Sequence, residues 1–287
     1  MATKVNVRFV VILGMAVCTA LGIVGGLYYL HLRQDASRNI RRGDEAVAAG
    51  DLRKAFDNYG RAVHKEPGNM EAIRKLEETV LKIVPQTADE ANNYYRDRIG
   101  VLQHLARHNP TTAKYHLALL EELSRGARMG GGSGMWPMVR SAADEMYRQL
   151  PETDPDRPLA KVYSSMAAFG MYGQRSRDEL SDAVTDAKAA VAVLPTSDLA
   201  WANLVYGQQI LAEKMSVDGQ SQSEIGEKIR EANESLAKAV EAVPDGPQVN
   251  RLLLWSKIIQ RAQSRDSVTE QELIDQSDKL VKLLTGP

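Results

Sequence analysis

The chain has 287 residues, with 36 Lys plus Arg against 37 Asp plus Glu and a net charge of -1. That balance excludes a general nucleic-acid binder, which carries a basic excess. A composition of 44% hydrophobic and 25% charged residues likewise excludes a disordered chain. The single cysteine, Cys18, excludes an internal disulfide framework and any cysteine-based zinc cluster. Aromatics at 6% beside abundant alanine favour helices over sheets.

Residues 1–8 read as a short N-terminal tail carrying Lys4 and Arg8. From Phe9 to Leu30 no charged residue occurs, and a helix of that length spans roughly 33 Å, the hydrocarbon thickness of a bilayer. Residues 9–30 are therefore expected to form a single transmembrane helix, with Tyr28 and Tyr29 where an aromatic belt would sit. A cleaved signal peptide fits less well. The apolar run exceeds a signal core, and Tyr28-Tyr29-Leu30-His31-Leu32-Arg33 stands where a small-residue cleavage site would be. Gly14, Cys18, Gly22 and Gly26 recur every four residues, so they share one face on which two helix backbones can approach closely. That face admits a homo-oligomer. The flanks leave the side of the membrane open: Arg33, Arg38, Arg41 and Arg42 face Lys4 and Arg8 across the span, while the cysteine-free remainder suits an exported domain. The expected location is a bacterial cell membrane, single-pass.

Beyond the anchor one spacing repeats: alanine, then alanine seven residues on, then proline five residues further. It occurs as Ala55, Ala62, Pro67, as Ala183, Ala190, Pro195, and as Ala232, Ala239, Pro244. With 34 alanines and 11 prolines, chance would supply about 0.16 copies, so three mark an internal repeat. Alanines seven apart lie on one helical face and permit a close neighbour, and the proline ends the helix at a fixed distance from that contact. Tyr59, Ala187 and Leu236 fall between them on the same face. Gly43 lies twelve residues before Ala55, with Gly50-Asp51 as a helix–helix turn between them. The pattern predicts antiparallel helix pairs packed through small residues.

The stretch Ala36 to Asn69, ASRNIRRGDEAVAAGDLRKAFDNYGRAVHKEPGN, resembles the tetratricopeptide repeat family in its length and in the order Gly43, Gly50-Asp51, Ala55, Tyr59, Ala62, Pro67. It departs at Asn39 and Arg42, where the family usually has tryptophan and leucine. The resemblance implies an all-α fold, a right-handed superhelical stack of antiparallel helix pairs preceded by the transmembrane helix. About six pairs are expected over residues 36–284. The second runs from Met70 to Pro110 with Arg98, Leu102 and Leu105 at the signature places, and the third from Thr111 to Pro151 or Pro155, interrupted by a flexible loop at Gly126–Gly134. The fourth and fifth end at Pro195 and Pro244, the fifth with Trp201 and Leu204 at the family's places and a loop near Ser216–Ser223. A closing pair covers Gln248–Ala262 and Thr269–Leu284.

No motif for chemistry stands out. The Gly130–Gly134 run lacks the lysine of a phosphate-binding loop. His104 and His108 share a helical face, but Leu105 stands where a zincin has glutamate, so surface or groove histidines are expected rather than a metal site. Neither enzymatic activity nor a cofactor is expected, nor nucleic acid as a partner. The resemblance instead implies a concave face that takes a protein or peptide. Its first unit would offer Ile40, Asp44, Val47 and Ala48. The expectation is thus a membrane-anchored interaction scaffold or adaptor, with a structural subunit of a membrane complex as the alternative.

Overall fold

The computed structural model describes residues 18–19, 21–25, 36–129, 134–264 and 267–286. Among them no β-strand occurs. Among the same residues twelve α-helices follow residue 35: α1 (36–48), α2 (Leu52–Lys65), α3 (Met70–Lys82), α4 (Ala88–His108), α5 (Ala113–Arg128), α6 (Met135–Gln149), α7 (Arg157–Gly170), α8 (Arg177–Val193), α9 (Asp198–Val217), α10 (Gln222–Ala242), α11 (Pro247–Gln263) and α12 (Glu270–Thr285). They fall into two compact units, Met1–His108 and Asn109–Pro287.

In the first unit α1 and α2 form a hairpin closed at Gly50, whose φ of 77° is a conformation favourable only to glycine. Asp51 then caps α2 by accepting from the Lys54 N–H. Gly43 on α1 lies so close to the Tyr59 ring that an added Cβ would stand 2.3 Å from it. The Tyr59 hydroxyl donates to Asp44 Oδ1 at 2.7 Å, and the Lys75 ammonium on α3 donates to both Asp44 oxygens at 2.6 and 2.7 Å. α3 packs on α2 and on α4, and Arg53 of α2 reaches Asp97 of α4 at 2.6 Å.

In the second unit the odd-numbered helices touch in series, α5 on α7, α7 on α9 and α9 on α11. Each even-numbered helix packs within its own hairpin, and α6, α8 and α10 also contact the hairpins beside them. That is serial hairpin stacking rather than one layered core. The core runs along it: Phe169, Leu180, Ala187, Ala190 and Leu204 in one cluster, Val205, Leu236, Ala239 and Val249 in the next.

A common register links these hairpins. Counting back from a proline, positions -12, -8 and -5 hold Ala55, Tyr59 and Ala62, then Ala183, Ala187 and Ala190, then Ala232, Leu236 and Ala239, all of them buried. Val139, Ala143 and Met146 occupy the same places before Pro151 and are fully buried. Arg98, Leu102 and Leu105 do so before Pro110, both leucines being buried. Four helices end with the cap N–H donating to the carbonyl of the -5 residue: Glu66 to Ala62, Leu150 to Met146, Leu194 to Ala190 and Val243 to Ala239.

The structure differs from expectation at two loops. α5 continues through Gly126, Ala127 and Arg128, so the connection at Gly126–Gly134 is shorter than its composition suggests. Buried Leu123 and Ala127 extend the packed stripe by one more turn, which offsets the cost of a helical glycine, about 1 kcal/mol. α9 continues to Val217 because Met215 is buried one turn beyond Leu211, and α10 begins at Gln222 because Ser221 and Glu224 cap each other. The connection is therefore 218–221, turned by Gly219 at φ 74°.

Of residues 9–30, only Cys18, Thr19 and 21–25 are described. They are helical and exposed, with Leu21, Ile23 and Val24 uncovered. Gly14 and Gly26 lie outside the described residues. Among the described residues no helix is long and apolar enough to cross a membrane.

Candidate functional site

Because the odd-numbered helices of the second unit stand side by side, their shared face forms a groove. A cavity of about 250 Å³ is bounded by Arg128 at the end of α5, Trp136 of α6, Met166 and Gly170 of α7, Asn203 and Tyr206 of α9, and Arg251 and Leu252 of α11. Four consecutive hairpins contribute to it. Most of its wall is apolar, and its polar groups are few, as in binding sites for extended or small ligands.

Several backbone details set its shape. Gly170 lets the Trp136 indole lie against α7, since a Cβ there would stand 2.2 Å from the ring. Gly207 does the same for Phe169, which is fully buried beneath α9. Asp198, at the start of α9, accepts from the Gln248 and Val249 N–H groups, each at 2.8 Å. It thereby caps α11 from a neighbouring helix, and Gly246 is the residue small enough to allow that approach. Trp201, at one of the places the sequence singled out, turns away from the cavity and donates its Nε1–H to the Pro195 carbonyl at 2.8 Å.

Asn203 is the polar centre of the groove. It is 4% exposed. Its Nδ2 donates to the Val162 carbonyl at 3.2 Å and to Ser165 Oγ at 2.7 Å. A carbonyl can only accept, so the amide nitrogen must face Val162 and the oxygen is turned the other way. Oδ1 finds no hydrogen-bond partner in the protein. Leaving such an acceptor unpaired costs about 1–3 kcal/mol, and Gln208 Oε1 on the same helix is in the same state.

Two cations, Arg128 and Arg251, border the groove. Among the described residues neither Arg128 nor Arg251 forms an ion pair. Partial desolvation, and then repulsion from Arg251, hold the Arg128 guanidinium below the ordinary arginine value. Burial raises the Tyr163 and Tyr206 phenols, helped by Glu121 and Glu213 respectively.

Of the residues expected on the first unit's concave face, one is buried and three are exposed. Ile40 is buried in the α1 packing, and Asp44 is occupied by Tyr59 and Lys75, whose donation lowers its pKa against the opposing effect of burial. Val47 and Ala48 are exposed. A second, more open cavity of about 500 Å³ lies in that unit between α2 and α4, bordered by His64, His104 and His108. The rings of His104 and His108 lie 4.2 Å apart and tilted by 41°, and His104 Nε2 meets the Pro67 carbonyl at 3.3 Å. His116, in the other unit, is buried with Nε2 2.9 Å from the Pro110 carbonyl. Among the described residues no three potential ligands converge on a metal position.

Sequence reasoning did not find Arg128, Asn203 or Arg251. Arg128 sat inside a glycine-rich stretch read as a loop, and the three residues are far apart in the chain, joined only by the stacking.

No family model matches this chain, and no curated protein does. Solved structures are similar to it. The MamA protein shares 15% identity over 73% of this chain and 92% of its own, with a TM-score of 0.44. YrrB, described as a TPR protein with an unusual peptide-binding site, shares 14% over 77% and 92%, also at 0.44. A thermophilic TPR protein from Thermus thermophilus shares 19% over 75% and 94%, at 0.38. At such identities and scores the helical-repeat architecture stands on this chain's own register and packing.

Proposed function

We propose that the protein is a membrane-anchored interaction module whose α5–α7–α9–α11 groove takes a segment of another protein. The observation that carries the reading is the largely apolar cavity lined by four consecutive hairpins and bordered by two exposed arginines, Arg128 and Arg251. Four consecutive hairpins line the groove, the arrangement by which stacked helix pairs build a concave binding face. The anchor is supported by the uncharged run from Phe9 to Leu30 and by the exposure of Leu21, Ile23 and Val24, which find no protein to pack against.

Two measurements test this. A photo-crosslinking amino acid at Tyr206 in the full chain should capture discrete protein products in cells, whereas one at Glu234, exposed on α10, should not. Identical smears from both positions would refute the groove. Alkaline carbonate should leave the full chain with membranes and release a chain lacking residues 9–30; release of both would refute the anchor.

A further inference from the structure

The open cavity of the first unit gathers a different chemistry from the groove of the second. His104 and His108 lie one turn apart on α4, and His64 of α2 borders the same cavity. The two α4 rings are 4.2 Å apart, close enough for one nitrogen of each to reach a shared ion at about 2.0–2.1 Å. His104 is also held as a ligand is held. The Pro67 carbonyl can only accept, so the Nε2 facing it at 3.3 Å carries the proton. Burial lowers the pKa of this ring against the effect of that bond, and His108 and Arg107 lower it further. The neutral ring therefore keeps its lone pair on Nδ1. A second nitrogen tied to a backbone carbonyl is the usual state of a metal-binding imidazole.

We propose that His104 and His108 bind one borderline divalent cation, of the zinc, copper or nickel type, beside the α2–α3 joint. Imidazole nitrogen suits these ions, whereas magnesium and calcium prefer oxygen. Asp97, the carboxylate bordering the cavity, is held by Arg53 at 2.6 Å, and Arg96 donates to Asn93. The cavity thus offers nitrogen rather than oxygen. Two protein ligands fill about half of a tetrahedral shell. Water fills the rest, or the exposed side chain of His64 does. Such a site exchanges its ion, unlike a closed structural centre. The proposal is independent of the groove in the second unit.

The test is a zinc titration of the full chain in detergent at neutral pH, read by calorimetry and by diethylpyrocarbonate labelling of each histidine in a mass spectrometer. One ion should bind per chain. Labelling should fall at His104 and His108 and stay unchanged at buried His116, the internal reference. Protection of His64 as well would make it the third ligand of the same site. His108→Gln changes an exposed side chain, and it should abolish both the binding and the protection of His104. Undiminished binding in that variant would place the ion elsewhere and overturn the proposal. So would equal protection by magnesium, or no binding of zinc, copper or nickel. The labelling pattern needs no variant, so it decides the matter even if the substitution disturbs α4.

Discussion

At the scale of single residues, the packing is governed by how little room certain positions leave. Ala62 and Ala239 are fully enclosed, so Ala239→Leu should force its neighbours apart and cost about 1–3 kcal/mol, read as a fall in the denaturant midpoint. Gly207→Ala should act similarly, because the new methyl would stand 2.2 Å from the end of the Phe169 ring. By contrast Trp255 is 59% exposed on α11. Trp255→Ala should therefore change stability by about 0.5 kcal/mol or less, whereas Phe169→Ala should cost about 3–5 kcal/mol. Equal effects from these two would mean that the burial pattern is wrong. Much of this scale was legible in the letters. The alanine–alanine–proline spacing picks out three hairpins because their seams happen to use the smallest side chain. It misses Val139, Ala143 and Met146, which occupy the same places before Pro151, because a spacing defined by residue identity is blind to a seam of larger side chains.

At the scale of elements, helix starts carry a pattern of their own. α8, α10 and α12 each open with a reciprocal cap, Ser176 with Glu179, Ser221 with Glu224 and Thr269 with Glu272. Hydrogen bonds from the Ser176 backbone, then from Arg175 and the Ser176 hydroxyl, lower the Glu179 carboxyl from 4.5 to about 2. Those from Ser221 and Thr269 lower Glu224 and Glu272. A folded-state pKa depressed in this way contributes stability that is present above the unfolded value and lost as pH falls through the folded one. Thermal midpoints should therefore drop between about pH 4.5 and pH 2, and Glu179→Gln should shrink that drop while lowering the midpoint at neutral pH. A drop of unchanged size in the variant would exclude Glu179 as a contributor. α11 starts differently, capped by Asp198 of another helix. Asp198→Ala should cost about 1 kcal/mol and speed amide exchange at Gln248 and Val249 before it affects α8. The three reciprocal caps are readable as S/T-x-x-E. The borrowed cap is not, because Asp198 and Gly246 are brought together by stacking and not by adjacency.

At the scale of the molecule, serial packing limits how far a disturbance travels. Within the second unit contacts run from each hairpin to its neighbours, so its stability is set by local terms and nearest-neighbour interfaces. Hydrogen exchange on Ala239→Leu should show faster opening in α9, α10 and α11 with α2 and α3 unchanged; uniform acceleration along the chain would argue for one cooperative core. The same serial arrangement explains why the groove was not visible in the sequence. The family resemblance pointed to the first helix of the first pair, yet Ile40 is buried there and Asp44 already holds Tyr59 and Lys75. The residues that do converge, Arg128, Asn203 and Arg251, come from three hairpins and carry no local signature.

The proline joints have one more consequence. At Pro67, Pro110, Pro195 and Pro244 the preceding helix stops two residues earlier and the next begins just after Asn69, Thr112, Ser197 or Gly246, two residues later. In three of these the side chain six residues past the proline, His116, Trp201 or Asn250, closes back onto its carbonyl. That bond is local at these three joints, although the start of α11 also takes its cap from Asp198. When a module is duplicated or deleted, the local turn can be kept, whereas the cap of α11 must be supplied anew by the preceding hairpin.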